Sequence, residues 1–295
     1  MGLLSQHGRG LALLVLASLL WGTSYVATKG AVSGSPPSVV VASRFAIASL
    51  CFLPFIRWRK ALLLAGGELG LWLLLGYGTQ TIGLQYTTAG RSAFIASLYV
   101  VMVPFVLRVG GRYIGRLVWV AIALAFAGIS LLSYQATGSI NLGDLWSLGT
   151  AVFWSIYIVR LEICSRHHGS LPLTAAQVMG IGLLSLGWVA WQDPQWLQPQ
   201  QLSTGVPWLA VGYLALASTA IPTWLQTAGQ RYVSAPEAVV VFTLEPVAAV
   251  FFAYGLLGEV LTLREAMGAL LILGATLLSQ WPAIHQKMGR QPPEL

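Results

Sequence analysis

One carboxylate stands in the middle of an apolar stretch: Glu245 in "VVVFTLEPVAAVFF", followed directly by Pro246. Ionisable side chains inside an apolar segment of membrane-spanning length are costly and are functional candidates by default. The proline removes a backbone donor and frees a carbonyl of the preceding turn, which favours a polar cavity at this point. Such a carboxylate can bind an amine or carry a proton. A structural ion pair with Arg44 or Lys29 is the competing interpretation.

Two cations also interrupt apolar stretches. Arg44 lies in "VVVASRFAIASL", and its guanidinium fork suits bidentate recognition of a carboxylate. We favour a structural tie to neighbouring carbonyls for this residue. Lys29 lies near the end of the first apolar segment, where a long side chain can extend to the interface. Binding of an anionic group is the less favoured interpretation for Lys29.

A third group combines aromatic rings and amides at helical spacings. Tyr77 and Gln80 share a helix face, as do Trp154 and Tyr157. Such a mixed lining suits an amino acid or another small amphipathic metabolite, although each ring taken singly is more typical of helix packing or of an interfacial belt. The residues predicted to line one cavity are Tyr25, Lys29, Arg44, Tyr77, Gln80, Tyr99, Trp154, Tyr157, Trp224, Gln226 and Glu245.

Metal, nucleotide and nucleophile chemistry has no matching pattern in the sequence. His167 and His168 lie in a charged turn without a spaced Cys, Asp or His to complete a metal site. Cys51 and Cys164 belong to no CxxC pair and are interpreted as packing residues. There is no Walker loop, dinucleotide fingerprint or nucleophile elbow. The sequence therefore predicts no enzyme, no cofactor and no metal.

The elements that must position these residues are membrane-spanning helices. Only 8% of the residues are charged, against roughly 25% in soluble chains, and the mean hydropathy is +0.74. A bilayer core of about 30 Å requires about 20 apolar residues in a helix. The sequence predicts an all-α integral membrane fold with ten transmembrane helices, spans one to ten, at 10–32, 36–56, 66–86, 89–109, 116–135, 144–164, 172–192, 207–228, 235–257 and 264–283.

The distribution of basic residues predicts the orientation of these spans. The net charge is +7, but the cations fall singly between apolar runs, which indicates membrane-flanking charge and no nucleic-acid binding. With both termini in the cytoplasm, only Lys29, Arg44, Arg91 and Arg264 lie in spans or on the outer side. The cytoplasmic side then holds Arg9, Arg57, Arg59, Lys60, Arg108, Arg112, Arg116, Arg160, Arg166, Arg231, Lys287 and Arg290.

A repeated phrase divides the chain into halves. "QTIGLQYTTAGR" (80–91) joins spans three and four, and "QTAGQRYVSAPE" (226–237) joins spans eight and nine. Because five spans separate the copies, the two corners are expected on opposite sides of the membrane. A fainter match pairs "LLWGTSY" (19–25) with "VFWSIY" (152–157). We therefore predict inverted five-span repeats at 1–135 and 144–283, followed by a cytoplasmic tail at 284–295.

Four stretches resemble a known family. "SLLWGTSYVATKGAV", "ASRFAIASL", "SAFIASLYVVMVPFV" and above all "TLEPVAAVFFAYGLLGEVLT" are similar to the first, second, fourth and ninth spans of EamA-type members of the drug/metabolite transporter superfamily. The resemblance implies two inverted EamA repeats and a central cavity lined by spans one, three, four, six, eight and nine. The first half departs from the pattern: it has "RVGGRY" where the second half has the Gly-Glu exit at Glu259.

Together these features predict a secondary transporter of the inner membrane. It would move a small organic metabolite by alternating access, with amino-acid export as the leading hypothesis and proton coupling left open. Transport of sugar phosphates, nucleotide sugars or drugs, a lipid-modifying enzyme and a non-transporting membrane protein are the alternatives. The expected partners are a small-molecule substrate and the lipid bilayer, and both a monomer and a homodimer fit the sequence.

Overall fold

The computed structural model describes residues 5–133, 141–245, 247–248, 263–264, 266–268, 270–275 and 278. These residues form helices joined by short turns, and no strand occurs among them. The α-helices are Gln6–Trp21, Ser24–Val32, Pro37–Phe52, Lys60–Tyr86, Ala89–Ala96, Tyr99–Val109, Arg116–Ser133, Leu142–His167, Ser170–Gln192, Pro199–Gly205, Trp208–Ala215, Ile221–Gly229 and Ala235–Phe242.

Six helical segments of the described residues are long and apolar enough to cross a membrane. They correspond to spans one, two, three, six, seven and eight, at Gln6–Val32, Pro37–Phe55, Lys60–Tyr86, Leu142–His167, Ser170–Gln192 and Trp208–Gly229. Shorter apolar helices lie within the predicted spans four, five and ten, at Tyr99–Val109, Arg116–Gly128 and Ala266–Ala275. The protein is therefore an all-helical, multi-pass membrane protein, and the count of ten spans stays a prediction.

Several helices extend beyond the apolar windows that predicted them, spans three and six among them. Span three begins at Lys60 instead of 66, and span six runs from Leu142 to His167 instead of from 144 to 164. At the start of span six, the Asn141 side chain accepts from the amide of Asp144, whose carboxylate accepts from the amide of Asn141. A capping box of this kind satisfies backbone donors at a helix start that lies outside the apolar core. Hydropathy therefore does not indicate where such a helix begins.

Spans one, four and nine are interrupted near their middles. The interruptions fall at residues 22–23, 97–98 and 243, and each contains a hydroxyl residue that bonds back to its own helix. Thr23 donates to the carbonyl of Leu20 at 3.1 Å, Ser97 to Ala93 at 2.7 Å, and Thr243 to Val240 at 2.6 Å. Back-bonding of this type competes with the helical ladder and bends helices.

Span eight contains a π-helical turn, Leu216–Ala220, just before Pro222. A proline has no backbone N–H, so Pro222 cannot donate to the carbonyl four residues earlier, that of Ser218. The Thr219 hydroxyl donates to the carbonyl of Leu214 at 2.7 Å, within the same turn. The Ser218 carbonyl is thereby available to other elements.

Two glycine pairs bring helices into close contact. A Cβ added to Gly143 would lie 2.8 Å from the carbonyl oxygen of Gly83, where span six meets the end of span three. A Cβ added to Gly10 would lie 3.0 Å from the carbonyl oxygen of Gly229, where span one meets the end of span eight. At both crossings, only glycine allows the observed separation of the backbones.

Some predicted features lie outside the described residues. These are Pro246, the Gly-Glu exit at Glu259, the last residues of span five, most of the second half of span nine, the end of span ten and the tail at 284–295.

Candidate functional site

A small cavity lies between the first and second halves of the chain. Spans one, three and four contribute to its wall from the first half, and spans six, eight and nine from the second. Its volume is about 30 Å³, which is room for about two water molecules. In this conformation the cavity is too small for a metabolite. The described lining residues are Trp21, Ser24, Tyr25, Tyr77, Gln80, Tyr99, Trp154, Ile158, Gln226, Phe242 and Glu245.

The structure brings together seven of the residues that the sequence placed in one cavity: Tyr25, Tyr77, Gln80, Tyr99, Trp154, Gln226 and Glu245. Four further lining residues were missed, namely Trp21, Ser24, Ile158 and Phe242. A usable signal existed for Trp21, because the match between 19–25 and 152–157 aligns it with Trp154. Ser24, Ile158 and Phe242 have side chains that are common in helix packing, so their types gave no signal.

The interrupted helices place several of these side chains. Ser24 and Tyr25 directly follow the break in span one, Tyr99 begins the second helix of span four, and Phe242 ends the first helix of span nine. Irregular backbone at membrane depth is tolerated only where it is buried in protein or lines a cavity. The three breaks therefore belong with the cavity that they surround.

Trp154 is the centre of an aromatic cluster in the cavity wall. Its ring centroid lies 5.1 Å from that of Tyr77, 5.4 Å from that of Tyr157 and 6.4 Å from that of Trp21. Trp21 in turn meets Phe242 edge-on at 5.6 Å. Because the contacts join spans one, three, six and nine, rings from both halves form one continuous apolar surface.

Glu245 is the acidic residue of the described lining. It is partly exposed, and it lies three residues after the end of the first helix of span nine. Among the described residues it has no ion-pair or hydrogen-bond partner, so the alternative of a structural pair with Arg44 or Lys29 does not form there. An unpaired carboxylate beside aromatic rings is a strong candidate for contact with a ligand or a proton.

Arg44 lies behind the cavity wall instead of in it. The side chain is 2% exposed, and it donates to the Ser218 carbonyl at 2.9 Å and to the Thr219 hydroxyl. Nε1 of Trp21 donates to the same carbonyl at 3.1 Å. The guanidinium also lies 4.5 Å above the ring of Tyr77. The π turn before Pro222 thus supplies the acceptors, which agrees with the preferred interpretation of Arg44 as a tie to carbonyls.

Lys29 is likewise held by backbone carbonyls outside the cavity lining. Its ammonium group donates to the carbonyl of Thr87 at 2.9 Å and to that of Leu84. Both acceptors belong to the C-terminal end of span three, where helical carbonyls lack donors of their own. The residue therefore joins the second helix of span one to the first repeated phrase.

Tyr157 and Trp224 also lie outside the described lining. The Tyr157 hydroxyl donates to the side-chain oxygen of Gln177 at 3.0 Å, and the amide nitrogen of Gln177 donates to the Thr227 hydroxyl at 2.8 Å. This buried chain joins spans six, seven and eight; the role of Gln177 was not predicted. Trp224 packs against the main hydrophobic core, and its Nε1 has no hydrogen-bond partner among the described residues.

A buried acidic residue that the sequence did not single out is Glu162, near the end of span six. It is 2% exposed, and its carboxylate oxygens lie 2.8 Å from a guanidinium nitrogen of Arg112 and 2.7 Å from one of Arg166. Its carboxylate also accepts from the backbone amide of Ala235 at 2.9 Å, at the first turn of span nine. Arg112 comes from "RVGGRY", the segment in which the first half departs from the family pattern, so this departure supplies a partner for Glu162.

The two repeated phrases contact opposite ends of span one. His7, near its start, lies 3.1 Å from the carbonyl of Tyr232 in the second phrase, whereas Lys29, near its end, bonds to Thr87 in the first phrase. We call the side of the protein at which span one begins the N-terminal face, and the other side the opposite face. Glu162 and Ala235 meet at the N-terminal face, because Ala235 also belongs to the second phrase.

Comparison with known proteins identifies relatives along the whole length of the chain. The model of the EamA-like transporter family matches residues 8–134 and 141–281. An uncharacterized transporter of Archaeoglobus fulgidus is 32% identical over 267 residues, covering 90% of this chain and 83% of the relative. The uncharacterized inner membrane transporter YedA of Escherichia coli K12 is 28% identical, covering 88% and 87%.

Two further comparisons agree with these. The uncharacterized transporter YvbV of Bacillus subtilis is 28% identical, covering 93% of this chain and 92% of the relative. A solved crystal structure of a protein superposes with a TM-score of 0.73 at 19% identity, covering 94% of this chain and 98% of the other. At that identity, the superposition establishes a shared fold.

Proposed function

Because the chain belongs to the EamA-like transporter family, we propose that it is a secondary transporter that moves a small organic metabolite across the inner membrane by alternating access. The observation that carries this proposal is the cavity between the halves, walled by three spans of each and surrounded by broken helices. Substrate sites of secondary transporters lie near the midplane at the interface of repeats, often beside discontinuous helices.

The glycine pairs support inverted halves. Gly83 and Gly229 are each the fourth residue of the repeated phrase, and Gly143 and Gly10 each stand eleven residues before the matched tryptophans Trp154 and Trp21. Gly143 touches Gly83 at the opposite face, and Gly10 touches Gly229 at the N-terminal face. The same crossing thus occurs once on each side of the protein, as a pseudo-two-fold axis in the membrane plane would require.

We assign the N-terminal face to the cytoplasm. Arg112 and Arg166, which bind Glu162 at this face, belong to the set of twelve basic residues that the positive-inside rule places in the cytoplasm. Both termini then lie inside the cell. A reporter fused to the C-terminus would be active in the cytoplasm; activity on the outer side would overturn this assignment.

The substrate that we propose is a small metabolite with an amino group, amino acids being the class to test first and export the direction. Glu245, which is unpaired among the described residues, supports an amine, and the rings around it suit an amphipathic molecule. Sugar phosphates and nucleotide sugars require clustered cations, and the described lining contains no Lys or Arg. Glu245 is also the carboxylate that would carry a coupled proton.

Counterflow in proteoliposomes tests this function. Vesicles that contain the purified protein and unlabelled amino acid should accumulate the labelled compound, and Glu245→Gln should abolish or strongly reduce the flux. Glu68→Gln is the matched control, since Glu68 pairs with Arg160 at 2.8 Å and does not line the cavity. Absence of flux for all amino acids and amines, under every imposed gradient, would contradict the proposal; insensitivity to a pH gradient would remove proton coupling alone.

A further inference from the structure

The charged groups in and near the cavity lining restrict the charge that a substrate can carry. Among the described lining residues, Glu245 carries the negative charge, and no lysine, arginine or histidine accompanies it. The sequence predicted two cations in the lining, Arg44 and Lys29. In the structure both lie outside it, where Arg44 donates to the carbonyl of Ser218 and Lys29 to that of Thr87. Glu245 is therefore the charged group of the described lining, and Arg44 lies behind the lining, over the ring of Tyr77.

The rest of the wall is suited to a cation. Six of the eleven described lining residues carry aromatic rings, and these rings come from spans one, three, four, six and nine. The negative face of an aromatic ring attracts ammonium groups, and the attraction is stronger where the cation is desolvated. The wall itself provides one example, because the guanidinium of Arg44 lies 4.5 Å from the centroid of the Tyr77 ring.

A carboxylate group would find a poorer environment. Its available donors in the described lining are neutral, for example the amides of Gln80 and Gln226 and the hydroxyl of Ser24. A carboxylate taken out of water without a cationic partner keeps most of its desolvation cost. It would also be repelled by Glu245. A zwitterion thus gains at its ammonium group and loses at its carboxylate.

We propose that the central cavity selects organic cations, meaning primary or methylated ammonium compounds without a carboxylate, over the corresponding amino acids. This inference rests on the proposed function and narrows the amine-bearing class named there. Glu245 compensates the positive charge, while rings such as those of Trp21 and Trp154 contact the alkyl or methyl groups around the nitrogen. The cavity of about 30 Å³ must widen to admit such a molecule, as alternating access requires.

Binding of matched pairs to the purified full-length protein tests the selectivity. Choline and glycine betaine share a trimethylammonium group, and the carboxylate of betaine replaces the hydroxymethyl group of choline. 2-Phenylethylamine and phenylalanine share a phenylethyl amine, and phenylalanine adds a carboxylate. Because Trp21 and Trp154 line the cavity, tryptophan fluorescence or thermal stabilisation reports binding. We expect the cation of each pair to bind at least about tenfold more tightly, a difference of ~1.4 kcal/mol.

Variants separate the contact with Glu245 from general effects on the fold. Glu245→Gln should weaken choline at least about tenfold and leave betaine unchanged or improved, whereas the control Glu68→Gln should alter neither. Equal or tighter binding of the carboxylated members, no binding of either cation at millimolar concentrations, or an unchanged choline affinity in Glu245→Gln would overturn the inference.

Flux measurements distinguish this inference from the proposed function. If proteoliposomes transport amino acids but discriminate against the cations, the function stands and the selectivity is wrong. If the cations bind selectively but no compound is transported in either direction, the selectivity stands and the proposed function is wrong.

Discussion

The corner at the N-terminal face and the corner at the opposite face are built on the same scaffold but joined by opposite charges. At each corner a glycine of the repeated phrase meets a glycine of span one or span six. Lys29 and Glu162 then occupy matched positions, each eight residues after the matched tryptophan. Lys29 donates to carbonyls of the first phrase, whereas Glu162 accepts from the Ala235 amide of the second.

The difference follows from the two poles that a helix-to-helix corner offers. The end of the incoming helix presents carbonyls without donors, which attract a cation, and the start of the outgoing helix presents amides without acceptors, which attract an anion. Lys29 uses the first pole at Leu84 and Thr87, and Glu162 uses the second at Ala235. A symmetric backbone can therefore carry asymmetric charges without loss of hydrogen bonding.

The two corners also differ in the number of charged contacts. Glu162 is 2% exposed and holds two guanidinium groups in addition to the amide, one of them from another segment of the chain. Lys29 is bound by carbonyl dipoles. The bonds at both corners are charge-assisted, but Glu162 bonds to two groups of opposite full charge, whereas the acceptors of Lys29 are neutral. We therefore expect the corner at the N-terminal face to be the more firmly closed of the two.

Among the substitutions at the two corners, removal of the charge at Glu162 should increase the accessibility of the cavity the most. In Glu162→Gln, the backbone amide of Ala235 loses its charged acceptor and Arg112 loses its counter-ion. The N-terminal face should therefore open more often. Accessibility is read from Ser24→Cys, a lining position, in a Cys51→Ser, Cys164→Ala background. A membrane-impermeant thiol reagent applied at the N-terminal face should react about tenfold faster, corresponding to ~1.4 kcal/mol.

The opposite face provides the control for this experiment. The same reagent applied there should react no faster in Glu162→Gln than in the parent protein. If labelling rises equally from both faces, the substitution has loosened the whole fold and the corner is not a separate closure.

The shared scaffold predicts similar losses of stability from two glycine substitutions. In Gly143→Ala and Gly10→Ala the new methyl group would lie 2.8 Å and 3.0 Å from a carbonyl oxygen of the facing helix. Overpacking of this kind costs about 1–3 kcal/mol, so both variants should show a lower midpoint of thermal unfolding in detergent.

Gly187→Ala is the matched control, because no atom lies within 4 Å of its added Cβ. Alanine is favoured over glycine in a helix interior by up to about 1 kcal/mol, so this variant should be as stable as the parent or more stable. A loss in only one of Gly10→Ala and Gly143→Ala would mean that the two crossings are not equivalent.

Lys29→Met should have a smaller effect than Glu162→Gln, at the other face. Methionine retains much of the apolar stem but leaves the carbonyls of Leu84 and Thr87 without this donor. Water can replace it near the membrane surface, so we expect labelling of Ser24→Cys from the opposite face to increase only about threefold, ~0.6 kcal/mol. An increase as large as that in Glu162→Gln would remove the proposed difference between the corners.

Six of the ten predicted spans are helices of membrane-spanning length among the described residues, and the sequence predicted these because apolar length is a local property. It predicted seven lining residues because Tyr, Trp, Gln and Glu are unusual at helix midpoints. It missed Glu162, since the residue lies among the charges of a helix end, and only the packing of Arg112, 50 residues away, shows that it is buried. It included Arg44 among the cavity residues although a tie to carbonyls was the favoured interpretation. It did not identify the acceptor, because hydropathy does not reveal which carbonyl a proline has freed: that of Ser218, four residues before Pro222.

Arg166→Gln should have the smallest effect on labelling. Its comparison with Arg112→Gln shows whether a bond between two segments matters more than a bond within one helix. Arg166 and Glu162 are four residues apart in span six, and pairs at this spacing contribute about 0.2–0.5 kcal/mol to a helix. Arg112 instead joins the turn after span four to span six. Labelling of Ser24→Cys from the N-terminal face should therefore rise in Arg112→Gln and stay within about twofold of the parent in Arg166→Gln. An equal rise in both variants would show that the charge around Glu162, and not the link that Arg112 makes, keeps this corner closed.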